Sequence, residues 1–256
     1  MGRVVKPEAY EARRNEILEV ARRLVMVTKG YNGMAVQDIL DELQISKGAF
    51  YHYFDSKQAL LEALIERLAS EAMPMLTEIV DDPDLPAIEK LSCFFEKIAR
   101  WKTDRKDYLL ALLDVWYADE NAIVREKLRS AMPERYGPLL TEVVRQGIEE
   151  GQMTAAHPDQ VGGVILYLLY DLGYDFAFLL RKQGTDHEAL DRAFKTVAAY
   201  SEAIERVLGA PQGSLTLVDA QTIQAWFDSV VVPANPLPSR ALLPGSGDTV
   251  TSPPEW

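Results

Sequence analysis

The stretch SKGAFYHYFDSK, residues 46 to 57, concentrates side chains suited to binding a charged partner. Five consecutive positions carry rings: Phe50, Tyr51, His52, Tyr53 and Phe54, with Lys47 and Lys57 on either side. On a helix, Phe50 and Phe54 lie four apart, share a face and pack inward. Lys47, Gly48 and Tyr51 then present a second surface. A lysine pairs with phosphate, a tyrosine hydroxyl bonds phosphate while its ring meets a thymine methyl, and a glycine permits close approach. These groups recognise rather than catalyse. His52, His157 and His187 lie far apart in the chain, and no nucleophile elbow, His/Cys metal spacing or phosphate loop is present. No catalytic residue, metal or cofactor is expected.

The surrounding pattern is helical nearly throughout, which predicts an all-α fold. Pro7 suits a helix start. Behind it Ile17, Val20, Ala21, Leu24 and Val25 fall on one face. KGYNG, 29 to 33, stops that helix with residues that tolerate a left-handed backbone. A short helix follows over about 36 to 43, Gln44 and Ile45 make a tight connection, and Ser46 is placed to cap the aromatic helix. Asp55 and Ser56 end it. A long helix then runs from Lys57 to about Val80. DDPDLP, 81 to 86, is a linker, and further helices are expected over 86 to 103, 106 to 117 and 121 to 131. Pro133 and Pro138 punctuate, so a separate helix is read over 138 to 150. Helices over 158 to 182 and 186 to 208 follow, then a short helix over 219 to 231 and a tail rich in Pro, Gly and Ser, a composition that predicts an extension partly disordered or draped on the body.

Three helices, the second and third joined by a very short turn, describe a helix-turn-helix, whose second helix enters the major groove. Residues 30 to 64 resemble the TetR family of bacterial transcriptional regulators. The matching features are Gly30-Tyr31, Val36-x-Asp38-Ile39, Ile45-Ser46-Lys47-Gly48, Tyr51-x-Tyr53-Phe54, and Ser56-Lys57 with Leu60-Leu61. The resemblance implies a DNA-binding domain over 1–56, a larger helical regulatory, ligand-binding and dimerisation domain over 57–209, and a C-terminal extension over 210–256. It also implies DNA contacts from Lys47, Tyr51 and His52, with Lys57 reaching a phosphate. Ser46 and Gly48 complete that surface, and Tyr53 divides between packing and backbone contact. Arg3 and Lys6 could reach phosphates or the minor groove, or belong to a frayed terminus. The sequence departs from the family pattern at Ala35, Leu40 and Gln44, where Thr, Ala and Gly are common. A Gln at a position needing positive φ carries strain.

The same resemblance implies a dimer through the helices at 158–182 and 186–208, double-stranded DNA with a palindromic operator as partner, and a small-molecule effector bound within the body. It implies a repressor that the effector releases. A helical interaction protein, or a ligand-independent or activating regulator of the same family, is the alternative. Candidate effector contacts are Phe95, Trp101, Trp116, Tyr117, Tyr136, Tyr167, Tyr170, Asp171 and Tyr174. Of these, Tyr167, Tyr170, Asp171 and Tyr174 share a helical stripe with Phe178. A carboxylate among rings suits a cationic aromatic ligand. The stripe equally reads as core or dimer seam, with Asp171 bonded to a tyrosine hydroxyl.

Charge and composition fit this reading. The net charge is −12, yet residues 1 to 60 hold nine basic and eight acidic residues, leaving 18 basic and 31 acidic for the rest. Charges act within about 10 Å at ordinary salt, so an acidic body can carry a neutral reading head. The single cysteine, Cys93, excludes an internal disulfide and suits a cytoplasmic location. Residues 161 to 180 are apolar enough for a bilayer but contain Asp171 and Asp175, so a buried helix and no membrane association are expected.

Overall fold

The computed structural model describes residues 7–28, 30–183 and 188–230. Among them are ten α-helices and no strand: α1 (Pro7–Val27), α2 (Val36–Leu43), α3 (Lys47–Tyr51), α4 (Lys57–Val80), α5 (Ala87–Asp104), α6 (Lys106–Tyr117), α7 (Ala122–Glu149), α8 (Pro158–Lys182), α9 (Ala189–Leu208) and α10 (Ala220–Phe227). Arg3, Lys6 and the start expected for α9 lie outside the described residues.

Two apolar cores divide the molecule. The head core joins Ile17, Leu18, Ala21 and Val25 of α1 with Ile39 and Leu40 of α2, Phe50, Phe54, and Leu60, Leu61 and Leu64 at the start of α4. Tyr108, Leu112 and Val115 of α6 belong to it too. The body core takes Ala72, Leu76, Ile79 and Val80 from the other end of α4, together with the inner faces of α5, α7, α8 and α9. Thus α4 is anchored in both cores, and α6 packs into the head core. The turn after α1 fits against α6 only because residue 30 is glycine. Its φ is +99°, and a Cβ there would stand 2.8 Å from the Ala111 carbonyl oxygen.

The helix break expected at Pro133 and Pro138 does not occur: α7 runs unbroken from Ala122 to Glu149 through both prolines. An interior proline costs about 3 kcal/mol. Packing against α8 offsets it, burying Tyr136, Leu140, Val143 and Val144 of α7 against a neighbour that approaches closely. At Gly162 of α8 a Cβ would meet the Gly137 carbonyl oxygen and Thr141 Oγ1, each at 2.6 Å. Helices that close bury their whole facing stripe, and each buried large apolar side chain contributes about 1.5–3 kcal/mol.

The segment after α9 also packs rather than trailing away. Leu215, Leu217, Ile223 and Phe227 are buried in the body core, so residues 210–230 are part of the body. Glu205 of α9, 4 % exposed, anchors them by accepting hydrogen bonds from the backbone N–H groups of Gly213 and Leu215, both at 2.9 Å. Asp219 caps α10 through the Thr222 N–H at 2.8 Å. The expected helix 219 to 231 is therefore shorter, and residues 231–256 lie outside the described part.

Candidate nucleic-acid interface

Helix α3 is five residues long, too short to stand without support. Its N-terminus is capped by Ser46 Oγ, which accepts from the Ala49 N–H at 3.1 Å. The Phe54 N–H donates to the Phe50 carbonyl at 3.1 Å, which carries one more helical turn past Tyr51. Phe50 is fully buried and Phe54 3 % exposed, with their rings 5.8 Å apart. The aromatic run therefore divides as its spacing predicts.

The turn that aims α3 is Gln44. It is the only non-glycine residue with positive φ among the described residues, at φ 51° and ψ 45°. Its backbone N–H closes α2 on the Leu40 carbonyl, and its side chain reaches the Asp41 carbonyl at 2.5 Å. A left-handed conformation costs a non-glycine residue roughly 1–2 kcal/mol. Helix α2 also starts without its usual cap. Ala35 offers no side-chain oxygen, although its backbone is extended and its N–H donates to Asp38 Oδ2 at 2.7 Å.

On this frame Ser46, Lys47, Gly48, Tyr51 and His52 lie exposed together at the tip of the head. Tyr51 is 41 % exposed, and the Lys47 ammonium lies 5.9 Å from its centroid. A Cβ at Gly48 would meet no protein atom nearer than 3.9 Å, so its face is open to a partner. Tyr53 and Lys57 are half-buried behind this tip. The Tyr53 ring packs 4.8 Å from Tyr10 of α1, and His52 meets the same ring edge-on at 5.6 Å. Tyr10 was not singled out in the sequence. It lies seven residues before Ile17, so it extends the inward stripe of α1, and that spacing is the signal that marks it.

Lys57 opens α4 and is held from beneath. Its ammonium sits 4.7 Å from the Tyr31 ring centroid, while the Tyr31 hydroxyl donates to the Lys57 carbonyl. Desolvation lowers the Lys57 pKa, with Asp38 opposing the shift, and burial raises that of Tyr31. A partly dehydrated ammonium beside the first N–H groups of a 24-residue helix is a ready partner for a phosphate.

Of the nine candidate effector contacts, Tyr167, Tyr170 and Asp171 meet around Arg129 and Tyr117 meets Tyr174, while the others lie apart. Phe95 and Tyr136 are buried in the body core, and the Tyr136 hydroxyl donates to the Ala69 carbonyl. Trp101 stacks with Arg105, whose guanidinium lies 4.5 Å from its ring. Trp116 is half-buried on α6, where its carbonyl accepts from Arg125. Tyr117 packs on Tyr174 with centroids 4.8 Å apart and donates to the Tyr174 carbonyl. The Tyr170 hydroxyl donates to the Arg125 carbonyl at 3.1 Å. Asp171 pairs with Arg129 at 3.5 Å rather than with a tyrosine; it is Asp175 that accepts from the Tyr200 hydroxyl, at 3.1 Å. Tyr167 and Tyr174 stand exposed on α8 with Val164 and Phe178. Two surface clefts, one lined by Arg22, Arg67 and Tyr108 and the other by Ile123, Lys127 and Glu134, include none of the nine.

Comparison with known proteins settles what this head is. Residues 17–64, which include α2, α3 and the start of α4, match the family model described as bacterial regulatory proteins, tetR family. The head is a TetR-family DNA-binding region. The chain is similar to the HTH-type transcriptional repressor DhaR of Mycobacterium sp. (strain GP1), 26 % identical over 173 residues that cover 68 % of this chain and 84 % of that one. It is also similar to the HTH-type transcriptional repressor NemR of Escherichia coli (strain K12), 26 % identical over 187 residues covering 72 % and 91 %. A solved TetR-family regulator from Pectobacterium atrosepticum superposes with a TM-score of 0.58 at 19 % identity, over 81 % of this chain and 100 % of that one. That likeness extends the shared fold through the body helices. Members of the family are regulators of transcription that bind DNA as dimers and answer to small molecules, not enzymes.

Proposed function

We propose that this protein is a cytoplasmic transcriptional repressor that binds a palindromic operator as a homodimer and leaves it when a small molecule binds. The exposed, rigidly backed tip of α3 carries this reading. Tyr51 is displayed at 41 % exposure while Phe50, its neighbour in sequence, is fully buried. Display of a large ring at a protein surface costs hydrophobic free energy, and recognition of a partner is what recovers it. Lys47, Gly48, Tyr51 and His52 take base edges and adjacent backbone. Ser46, Tyr53 and Lys57 position the head on phosphates.

The dimer forms through α8 and α9. Val164, Tyr167, Tyr174 and Phe178 recur on one face of α8 at helical spacing, exposed between 38 % and 44 %. That face is too long and too apolar to be left to water, and a second copy covers it. Although α8 is long and apolar enough to cross a membrane, Asp171 and Asp175 are engaged by Arg129 and Tyr200 within the fold. DhaR and NemR are both named repressors, which supports the same sign of regulation here. Because α4 is anchored in both cores, a change in the body alters the spacing of two heads that must sit about 34–36 Å apart. The test is a dimer-dependent shift. Tyr174→Glu should give a monomer by analytical ultracentrifugation and lose operator binding while keeping its helicity. A dimeric variant would contradict the assignment of the α8 face.

A further inference from the structure

The larger of the two clefts lies where head meets body, between α1, α4 and the α5–α6 turn, and encloses about 710 Å³. This volume falls in the range of small-molecule sites, roughly 300–1,000 Å³. Met26, Leu68 and Tyr108 are the apolar and aromatic residues of its lining. Tyr108 is 6 % exposed, and its hydroxyl has no hydrogen-bond partner. An unpaired buried hydroxyl is destabilising, and a partner from outside the chain would relieve it. Its pKa is pushed up to about 12, chiefly by burial, with Arg22, Glu71, Arg67 and Glu19 as the charged groups around it.

Those groups, with Arg105, form an ion-pair network along the cleft. Arg22 binds Glu19 at 2.5 Å, Arg67 binds the same carboxylate at 3.2 Å, and Arg105 binds Glu71 at 3.3 Å. Three guanidiniums thus share two carboxylates. Asp104 and Asp107 stand exposed at the mouth, and Lys106 is drawn away to Ser229. The network is half-open to solvent, where ion pairs add little to stability, so opening it costs little. The Arg67–Glu19 pair and the bond from Arg67 Nη1 to the Asn15 carbonyl at 3.3 Å are also ties between α4 and α1, that is, between the connector and the head.

We propose that this cleft is an effector site for a small carboxylic acid with an apolar tail. The carboxylate accepts from the Tyr108 hydroxyl and pairs with Arg22 and Arg67 in place of Glu19, while the tail lies on Met26 and Leu68. Displacing Glu19 loosens α1 from α4 and so weakens operator binding. The regulatory part of this inference rests on the DNA-binding reading above; the site itself does not.

Calorimetry on the full chain without DNA, with benzoate and octanoate as probes and benzamide and inorganic phosphate as controls, tests the site alone. At least one of the two acids should bind and both controls should fail. Tyr108→Phe removes a hydroxyl that has no partner, so the variant folds; it should weaken the acid about five- to tenfold. Arg67→Gln should weaken it about tenfold or more. Failure of both acids to bind, or an affinity untouched by Tyr108→Phe and by Arg67→Gln, overturns the site. Operator titrations with and without the bound acid then test regulation. Acid binding that leaves operator affinity unchanged overturns the regulatory role, whereas an acid-free protein that ignores DNA counts against the DNA-binding reading and leaves the site standing.

Discussion

Replacing Lys57 with alanine separates positioning from base reading. Lys57 sits at the first residue of α4, its ammonium held 4.7 Å from the Tyr31 ring, on the side of the head that carries α3. One such lysine per head means two per dimer. Each phosphate neutralised contributes about 0.9 to the slope of log K against log salt, so removing two should flatten the slope by about 1.8. Carried to 0.15 M salt, that is a loss of about 30-fold in affinity. The loss should be the same for the operator and for a random duplex of equal length, because a phosphate contact carries no sequence information. Fluorescence anisotropy over a series of salt concentrations reads both quantities. Circular dichroism controls for the lost cation–π contact, worth about 0.5–1 kcal/mol at a partly exposed site. A slope unchanged in the variant, or a loss confined to the operator, would refute the reasoning that Lys57 acts as a phosphate anchor.

Two further predictions concern stability. Ala35→Thr supplies the missing side-chain cap of α2 on a backbone already extended at φ −97° and should add about 1 kcal/mol, raising the melting temperature by roughly 2–4 °C in calorimetry. Glu205→Ala leaves the Gly213 and Leu215 N–H groups unpaired and should cost about 3 kcal/mol by urea denaturation, with proteolysis beginning between residues 210 and 220. A variant as protease-resistant as the parent would show that the segment after α9 is held by its apolar contacts alone.

Much of the head was legible from spacing alone. Phe50 and Phe54 at i and i+4 had to share a face, which left Tyr51 outside, and Ser46 before a short apolar helix had to cap it. These are local rules, and the structure obeys them. The misreadings arise where distant packing overrides local preference. Pro133 and Pro138 look like a break, but the close approach of α8 at Gly162 holds α7 straight through them. Residues 210–218 read as a break ahead of a short helix, yet Glu205 and the burial of Leu215, Leu217 and Phe227 bind the whole segment to the body. The junction cleft was illegible for a related reason. Glu19 and Arg22, Arg67 and Glu71, and Arg105 and Tyr108 come from three separate helical stretches, and each pair alone reads as an ordinary solvated face. The sequence could not single out which aromatic residues face an effector, because those in an all-α body serve its core, its tyrosine–carbonyl bonds and its exposed α8 face equally well.

The central claim is that the tip of α3 reads DNA. The most direct measurement is a footprint on the palindrome in the chain's own upstream region, comparing the parent protein with Tyr51→Ala. The parent should protect two half-sites about 10 base pairs apart. Tyr51→Ala, at an exposed position, should keep the parent's melting temperature and dimeric mass and lose both protected half-sites. An unchanged footprint from a folded Tyr51→Ala dimer would contradict the account.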